Sequence, residues 1–380
     1  MKNGRDARAT GGAPDFSPLG VLRVLCALCD VSAVCNRTLT CNGTLTGHCD
    51  PHLTRPTSCQ TMRRMNVWIT GSSGQIGTNL GLALMKRGDS VLGIDKRANA
   101  WTTNLPTQIV DLVRVARQSL TVDLPGKPDV IVHLAAWAKV HQLVKEPDKS
   151  LENVEMTMSA LELARRYRVP VMFGSSREVY GDIRRHVTDE SMADFVVAES
   201  PYSASKIAGE AFFYSYARCY GLPTLVFRFS NVYGRFDNDL ERMERVIPLF
   251  VRKINIGEPI RVFGRDKMLD FTYVDDCVSG LVSGIDAVTS GRVVNQTINL
   301  AYGQGQTLFD LVSLIELALG TTAQATYEKP QTGEVTRYVA DIGKARSLLG
   351  YDPQTPLTVG IAKYVKWCRE TGWLSGSGHA

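Results

Sequence analysis

Tyr202 and Lys206 stand four residues apart in Pro201-Tyr202-Ser-Ala-Ser-Lys206, a spacing that stacks a phenol and an ammonium on one helix face. A phenol with its ordinary pKa of about 10 is a poor base at neutral pH. Bringing it to about 7 takes roughly 4 kcal/mol of preferential stabilisation of the phenolate. A neighbouring ammonium supplies part of this, and a second cation held over the phenol supplies more. Taken alone, the pair also fits an ordinary surface helix. Two upstream segments give it a context.

Asn66-Val-Trp-Ile-Thr70 reads as a short buried strand running into Gly71-Ser-Ser-Gly74-Gln75-Ile76-Gly77, with an apolar helical pattern following through Leu80, Leu84 and Met85. Strand, glycine turn and helix N-terminus together make a pyrophosphate site. Gly71 permits the tight turn, Gly74 lets backbone approach phosphate, and Gly77 lets helix pack on strand. The next strand, Ser90-Val-Leu-Gly-Ile-Asp95, ends in a carboxylate where a dinucleotide fingerprint places the partner of a ribose 2′-hydroxyl. Asp95 favours NAD because it repels a 2′-phosphate, while Lys96 and Arg97 pull the other way; the balance reads as NAD. Further on, Val171-Met-Phe-Gly-Ser175-Ser176-Arg177-Glu178 is an apolar run ending in two hydroxyls at the carboxyl edge of a parallel sheet, where open α/β sheets bind ligands. A serine there can hydrogen-bond a substrate oxygen and share its proton with the tyrosine; plain turn chemistry is the other reading.

With these segments go Asp111-Leu112, Asp129-Val-Ile-Val-His133-Leu134-Ala135-Ala136, Asn153 with Thr157, Arg228-Phe229-Ser-Asn231-Val-Tyr-Gly234, Asp270-Phe-Thr-Tyr-Val-Asp-Asp276 and Ala340-Asp341-Ile-Gly-Lys-Ala345. In this order the chain resembles the extended short-chain dehydrogenase/reductase superfamily, and within it the NAD-dependent nucleotide-sugar epimerases and dehydratases, over about residues 65 to 370. The resemblance implies NAD as cofactor, a nucleotide sugar as substrate, no metal, and a catalytic set of Ser176, Tyr202 and Lys206. It further implies an NAD site drawn from Gly71, Gly74, Gln75, Ile76, Gly77, Asp95, Lys96, Asp111 on the adenine side, Leu112, Leu134, Ala135, Ala136, Asn153, Ser175, Tyr202, Lys206 and Phe229.

Three chemistries begin alike, with the phenolate taking a sugar hydroxyl proton while hydride leaves the same carbon. Epimerases return hydride to the opposite face, 4,6-dehydratases expel the 6-hydroxyl, and decarboxylases lose carbon dioxide from a keto-glucuronate. The dehydratases place Asp-Glu after the catalytic hydroxyl; Arg177-Glu178 stands here, so the acid for the leaving hydroxyl is missing. Decarboxylases share the glutamate, which keeps Glu178 as a candidate catalytic residue, but carry an arginine where this chain has Val339. The expectation is therefore a 4-epimerase of a UDP-hexose or UDP-hexuronate, with decarboxylase and dehydratase as alternatives. Outside enzymes, an NAD(H)-binding regulatory protein of the same fold is the alternative.

On the substrate side the resemblance implies Asn231 and Arg337. It also implies a diphosphate arginine where Leu269 stands, for which Lys267 or Arg265 is the candidate replacement, and Gln331-Thr-Gly-Glu334 replaces an Arg-x-Gly-Asp pattern of several epimerases. Arg177, beside the catalytic serine, has two readings. It forks onto a uronate carboxylate, or it pairs with Asp182 or Glu178 at the surface.

The elements that must position these groups alternate strand and helix from 66 to about 235, the pattern of a doubly wound parallel sheet, an α/β Rossmann-type fold with a smaller carboxyl-terminal α/β substrate domain. The division expected is 1–64 as a disordered extension, 65–240 as the NAD domain and 241–375 as the nucleotide-sugar domain, some elements interleaved. A helix over 150–168 takes Leu151, Val154, Met158, Leu161, Leu163 and Ala164 as its apolar points, and Ser200-Pro201 opens the helix carrying Tyr202. Relatives pair through these two helices; Met156, Leu163, Phe212, Phe213 and Tyr216 are the outward residues expected to make a homodimer.

Residues 1–64 hold six of the nine cysteines and fit no standard zinc spacing, and their eight Lys or Arg against four acids carry most of the formal net charge of +5. The remaining chain is nearly neutral, which leaves no electrostatic footprint for nucleic acid. No apolar run is long enough to span a membrane. Cys219, Cys277 and Cys368 are too scattered for a disulfide framework, so a cytoplasmic setting is expected.

Overall fold

The computed structural model describes residues 64–118, 122–181, 190, 198–330 and 336–375. The amino-terminal cysteines, Asp182 and the 331–334 segment lie outside the described residues. The strands β1 (Asn66–Thr70), β2 (Ser90–Asp95), β3 (Thr107–Ile109), β4 (Val130–His133), β5 (Val171–Ser176), β6 (Thr224–Phe229) and β10 (Gln296–Leu300) form one parallel sheet. Its order is β10-β6-β5-β4-β1-β2-β3. The chain runs outward from β1 to β3 and then crosses back to β4 on the other side of β1. The strand order reverses there, at the carboxyl ends of β1 and β4, the switch point where sheets of this kind take their ligands.

Alternation along the strands builds two cores, because successive side chains leave opposite faces. Val67, Ile69, Val130, Val132, Met172, Leu225 and Phe227 pack with α1 (Gln75–Arg87), α7 (Val274–Thr289) and α9 (Gly343–Leu349). Trp68, Ile131, Val171, Phe173 and Val226 pack on the opposite face with α2 (Leu112–Gln118), α4 (Asp148–Tyr167) and α5 (Pro201–Tyr220). The short α3 (Val140–Lys145), between β4 and α4, buries only Leu143. A further core gathers α6 (Val246–Asn255), α8 (Leu308–Leu319) and α10 (Leu357–Glu370) with β8 (Ile260–Phe263) and β9 (Met268–Tyr273). β9 pairs with β7 (Asn231–Tyr233), β11 (Gly305–Thr307) and β13 (Arg337–Tyr338), and β8 pairs with β12 (Ala325–Glu328). The fold is thus the α/β arrangement expected, and β10 and α7, though late in the chain, belong to the large sheet's layers. Among the described residues no helix is long and apolar enough to cross a membrane.

Two expectations about the helices need correction. On α4, Leu161, Leu163 and Ala164 are buried, but Leu151 is 66 % exposed and Val154 and Met158 are only half-buried. The inward stripe runs instead through Asn153, Met156, Thr157 and Ala160. Two of these are polar because they have hydrogen-bonding work inside, so apolar periodicity alone pointed to the wrong face. For the same reason Met156, Leu163, Phe213 and Tyr216 do not face outward; they lie in the chain's own core between α4, α5 and the sheet, with Phe212 half-buried against it. The apolar surface that these helices leave exposed is Leu151, Tyr214 and Tyr220.

Candidate active site

The glycine turn after β1 is shaped by three close approaches. Gly71 has φ +74° and a Cβ there would meet the Ala135 amide nitrogen at 2.6 Å, so the turn sits against the loop that leaves β4. A Cβ on Gly77 would lie 2.3 Å from the Gly71 carbonyl oxygen, and one on Gly74 3.3 Å from the same atom. Gly74 opens α1 with no side-chain cap, and the first turn carries no acid. The amide groups at this helix end are therefore left for an anion. Gln75, 7 % exposed, and Ser72, fully buried, each keep a buried polar atom (Nε2 and Oγ) without a partner. A cradle with no room for a Cβ at Gly71 or Gly77, with open amides and orphaned donors, fits the diphosphate of a dinucleotide. Gly77→Ala should cost about 1–3 kcal/mol from overpacking against the Gly71 carbonyl, read as a lowered denaturation midpoint together with weakened NAD binding in a fluorescence titration.

Asp95 closes the turn from β2. Its Oδ2 accepts from the Ser73 amide at 3.1 Å and its Oδ1 from the Arg97 amide at 3.1 Å. Carboxylate oxygens have lone pairs beyond these two bonds, so the group can brace the turn and still meet a ribose hydroxyl. Lys96 is drawn sideways, its Nζ 3.5 Å from the centre of the Trp137 ring, and burial lowers its pKa against the upward pull of Glu152. Asp111 caps the start of α2 by accepting from the Val113 amide at 2.9 Å. Two residues counted as cofactor contacts do structural work with their side chains. Asn153 spends its amide on Trp137 (2.7 Å from the Trp137 N–H, 3.0 Å to its carbonyl) and on the Ser205 hydroxyl at 3.1 Å. Leu112 is buried in the core and its carbonyl accepts from Ser159. Ile76, Leu134, Ala135 and Ala136 are half-buried, and Phe229 ends β6 against Gly174, where a Cβ would meet its ring at 2.8 Å.

Ser200 and Ser203 form a reciprocal capping box, with Pro201 at the first helical position, and this fixes where α5 begins. Tyr202 and Lys206 then fall on its buried face, 8 % and 4 % exposed. The Lys206 ammonium donates to the Gly174 carbonyl of β5 at 2.8 Å and lies 5.8 Å from the Tyr202 ring centre. Burial pulls Lys206 down to about 8, while Glu210 one turn on acts upward. Burial likewise pushes the Tyr202 phenol up to about 12, opposed by hydrogen bonding with Ser176 and by Arg245 and Arg177. Without a bound cofactor, burial therefore keeps the phenol above its ordinary range, and the second cation that the spacing argument calls for is still needed. Lys206 also sets a pH dependence. Its pKa is lower folded (about 8) than its ordinary 10.5, so the unfolded chain binds more protons across that window and stability rises with pH there. Relative to Lys206→Met, the native chain should gain up to about 3 kcal/mol between these limits, measurable by urea denaturation at either end.

Behind this pair lies a buried ion pair that sequence reasoning passed over. Arg228 on β6 grips Glu210 on α5 through two bonds, of 3.0 and 2.7 Å, both side chains about 5 % exposed or less. Ser175 donates to Glu210 at 2.6 Å, so its hydroxyl faces this pair and away from a cofactor role. Tyr202, Lys206 and Glu210 recur every four residues on one helix face, and that periodicity was the available signal. His133, fully buried, bonds Thr70 and Thr157 and is held neutral, its pKa driven down to about 3 by burial and by Lys206.

Ser176 ends β5, and its hydroxyl accepts from the Glu178 amide at 3.2 Å. Arg177 pairs with Glu178 at 2.9 Å, yet both are only 15–17 % exposed. Its guanidinium lies 5.7 Å from the Tyr338 ring, and its Nη1 is buried without a partner. Arg177 is thus ion-paired as one reading had it, but inside the protein. Asn231 donates to the Asp270 carbonyl at 3.0 Å, and Arg337 keeps its Nε buried and unpartnered. Leu269 is buried, and Arg265 is taken up by the Phe309 ring at 4.2 Å and by Asp266. Lys267 is half-buried, with its backbone bonded to Gly264 and Leu308.

Residues 67–301 match the family model of the NAD dependent epimerase/dehydratase family. The chain is 31 % identical to UDP-glucuronate 4-epimerase 6 of Arabidopsis thaliana, over 80 % of this chain and 71 % of that protein. It is also 31 % identical to UDP-glucose 4-epimerase of Mycolicibacterium smegmatis, over 80 % and 99 %. Among solved structures, UDP-glucose 4-epimerase of Thermotoga maritima with UDP-glucose superposes with a TM-score of 0.72 at 26 % identity, covering 81 % of this chain and 99 % of that one. The UDP-glucose 4-epimerase of Thermus thermophilus in complex with NAD gives 0.70 at 26 %, covering 80 % and 99 %. Glycine turn, Ser176 and the Tyr202–Lys206 pair all fall inside the matched span, and the chain belongs to the NAD-dependent epimerase/dehydratase family.

Proposed function

We propose that this protein is an NAD-dependent 4-epimerase of a UDP-hexose or UDP-hexuronate, acting through a transient 4-keto sugar. The observation that carries the reading is the meeting of Ser176, Tyr202 and Lys206 at the sheet edge beside a turn shaped for a dinucleotide. NAD, when bound, supplies the acceptor and donor of hydride. Tyr202 takes the proton of the 4-hydroxyl and later returns it, and Ser176 hydrogen-bonds the same oxygen. Lys206, anchored on Gly174, holds its charge beside the phenol. A phenol pushed up to about 12 by burial responds strongly to any cation brought beside it, because the site is water-poor. Asp95, Asp111 and the backbone of Leu134, Ala135 and Ala136 line the cofactor; Asn231, Arg337 and Lys267 face the nucleotide sugar.

Glu178 is held by Arg177, so the carboxyl that follows Ser176 is engaged rather than offered to a 6-hydroxyl. This favours epimerisation over dehydration. Incubation with NAD and a panel of UDP-sugars, followed by proton NMR, should show conversion of one sugar to its 4-epimer without carbon dioxide or a 6-deoxy product. A 6-deoxy-4-keto sugar, a pentose or no turnover at all would refute it.

The choice between hexose and hexuronate falls on Arg177. If its open Nη1 meets a uronate carboxylate, Arg177→Ala should lower kcat/KM for UDP-glucuronate by roughly tenfold or more and leave UDP-glucose unchanged. Equal effects on both would leave Arg177 as the partner of Glu178 alone. A homodimer through α4 and α5 and a cytoplasmic setting complete the proposal, supported by exposed Leu151, Tyr214 and Tyr220 and by the free thiols of Cys219, Cys277 and Cys368.

A further inference from the structure

Leu269, where a diphosphate arginine was expected, is buried, and Arg265 is occupied elsewhere, yet two other arginines reach the glycine turn from the segment that enters α6. Arg245 donates through Nη1 to Asp237 Oδ1 at 2.9 Å, to the Val232 carbonyl at 3.4 Å and to the side chain of Gln75, the first residue of α1. Among the described residues all its bonds leave from that one nitrogen, so Nη2 and Nε have no partner. Arg242 donates through Nη1 to the Ser73 carbonyl at 3.4 Å and makes no other side-chain bond among the described residues. Burial lowers its pKa, with Arg97 acting the same way and Asp95 and Asp239 opposing. Both guanidiniums are half-buried.

Each is placed by a carboxylate of its own segment. Asp237, 5 % exposed, holds Arg245, and Asp239 Oδ1 accepts from the Arg242 amide at 3.0 Å. Gln75, buried, gives its Oε1 to Arg245 while its Nε2 is left without a partner at the uncapped end of α1. Half-buried cations with unused donors, set around open helix amides, are what a diphosphate recruits.

We propose that Arg242 and Arg245 are the arginines of a diphosphate site on the rim of the glycine turn, holding the pyrophosphate of the bound dinucleotide. This rests on the dinucleotide lying in that turn. The pair ties the segment leading into α6 to the glycine turn through Gln75 and Ser73.

The test is equilibrium titration of the full chain and of Arg242→Gln, Arg245→Gln and Arg245→Lys with ADP-ribose, with adenosine and with UDP. ADP-ribose affinity should fall by roughly ten- to a hundredfold in the glutamine variants, with a shallower salt dependence. Adenosine and UDP should bind as before. Arg245→Lys should recover part of the loss, since a point charge remains without the fork. Equal weakening of adenosine and ADP-ribose, a loss confined to UDP, or unchanged binding throughout would each overturn the assignment. Should Arg245→Gln fold poorly because Asp237 loses its partner, Arg242→Gln carries the test, since its side chain makes only one long bond. A melting curve without nucleotide shows which case applies.

Discussion

Tyr202→Phe should lower turnover by roughly 10²–10⁴-fold, the range for a lost general acid–base, while NAD binding persists. The ring is part of the buried face of α5, and phenylalanine keeps that packing. What it removes is the hydroxyl that, in the proposed reaction, exchanges a proton with the sugar. Steady-state kinetics alongside an NAD titration separates the two effects. Loss of NAD binding in step with turnover would mean that the substitution disturbs the cleft, and near-normal turnover would remove Tyr202 from the chemistry.

The largest effect on stability is expected at Glu210. Glu210→Ala leaves the Arg228 guanidinium buried on β6 with its main counter-charge gone and Ser175 without its acceptor. Breaking a buried pair by removing one partner typically costs about 3–5 kcal/mol, which corresponds to a fall in Tm on the order of 10 °C. The substitution also removes the upward pull on Lys206, so that ammonium should titrate lower still. Arg228 additionally lies 4.8 Å from the Tyr180 ring and bonds the Glu190 carbonyl at 2.8 Å, contacts that survive the change. A denaturation midpoint close to that of the native chain would show that these contacts compensate, and that the pair is not what locks α5 to the sheet.

The parts of the fold that were legible are those where a local rule and the global fold agree. The strand before Gly71 and the alternation of Val67, Trp68 and Ile69 between two cores follow from patterning. The start of α5 follows from Ser200 and Pro201, a cap and a first-position proline. The face of α4 was misread because Asn153 and Thr157 point inward to bind Trp137 and His133, and a polar residue with an internal partner looks in sequence like a solvent-facing one. The same blindness hid Glu210. The pairing of Tyr202 with Lys206 on one helix face was legible as a spacing, but the balance of forces on the phenol was not, since burial that raises it depends on strands and helices far apart in the chain. Arg242 and Arg245 were invisible for a related reason: they are about 170 residues from Ser73 and Gln75, and only the packing of the segment before α6 against α1 brings them together.

The most direct test of the central claim is the fate of deuterium placed at C4 of the UDP-sugar that turns over. A hydride that leaves C4 and returns to the opposite face of the same sugar keeps the label. The account predicts a 4-epimer that retains deuterium at C4 by mass spectrometry and NMR, with no solvent deuterium incorporated at C5 when the reaction is run in heavy water. Loss of the C4 label to solvent, or exchange at C5, would contradict it.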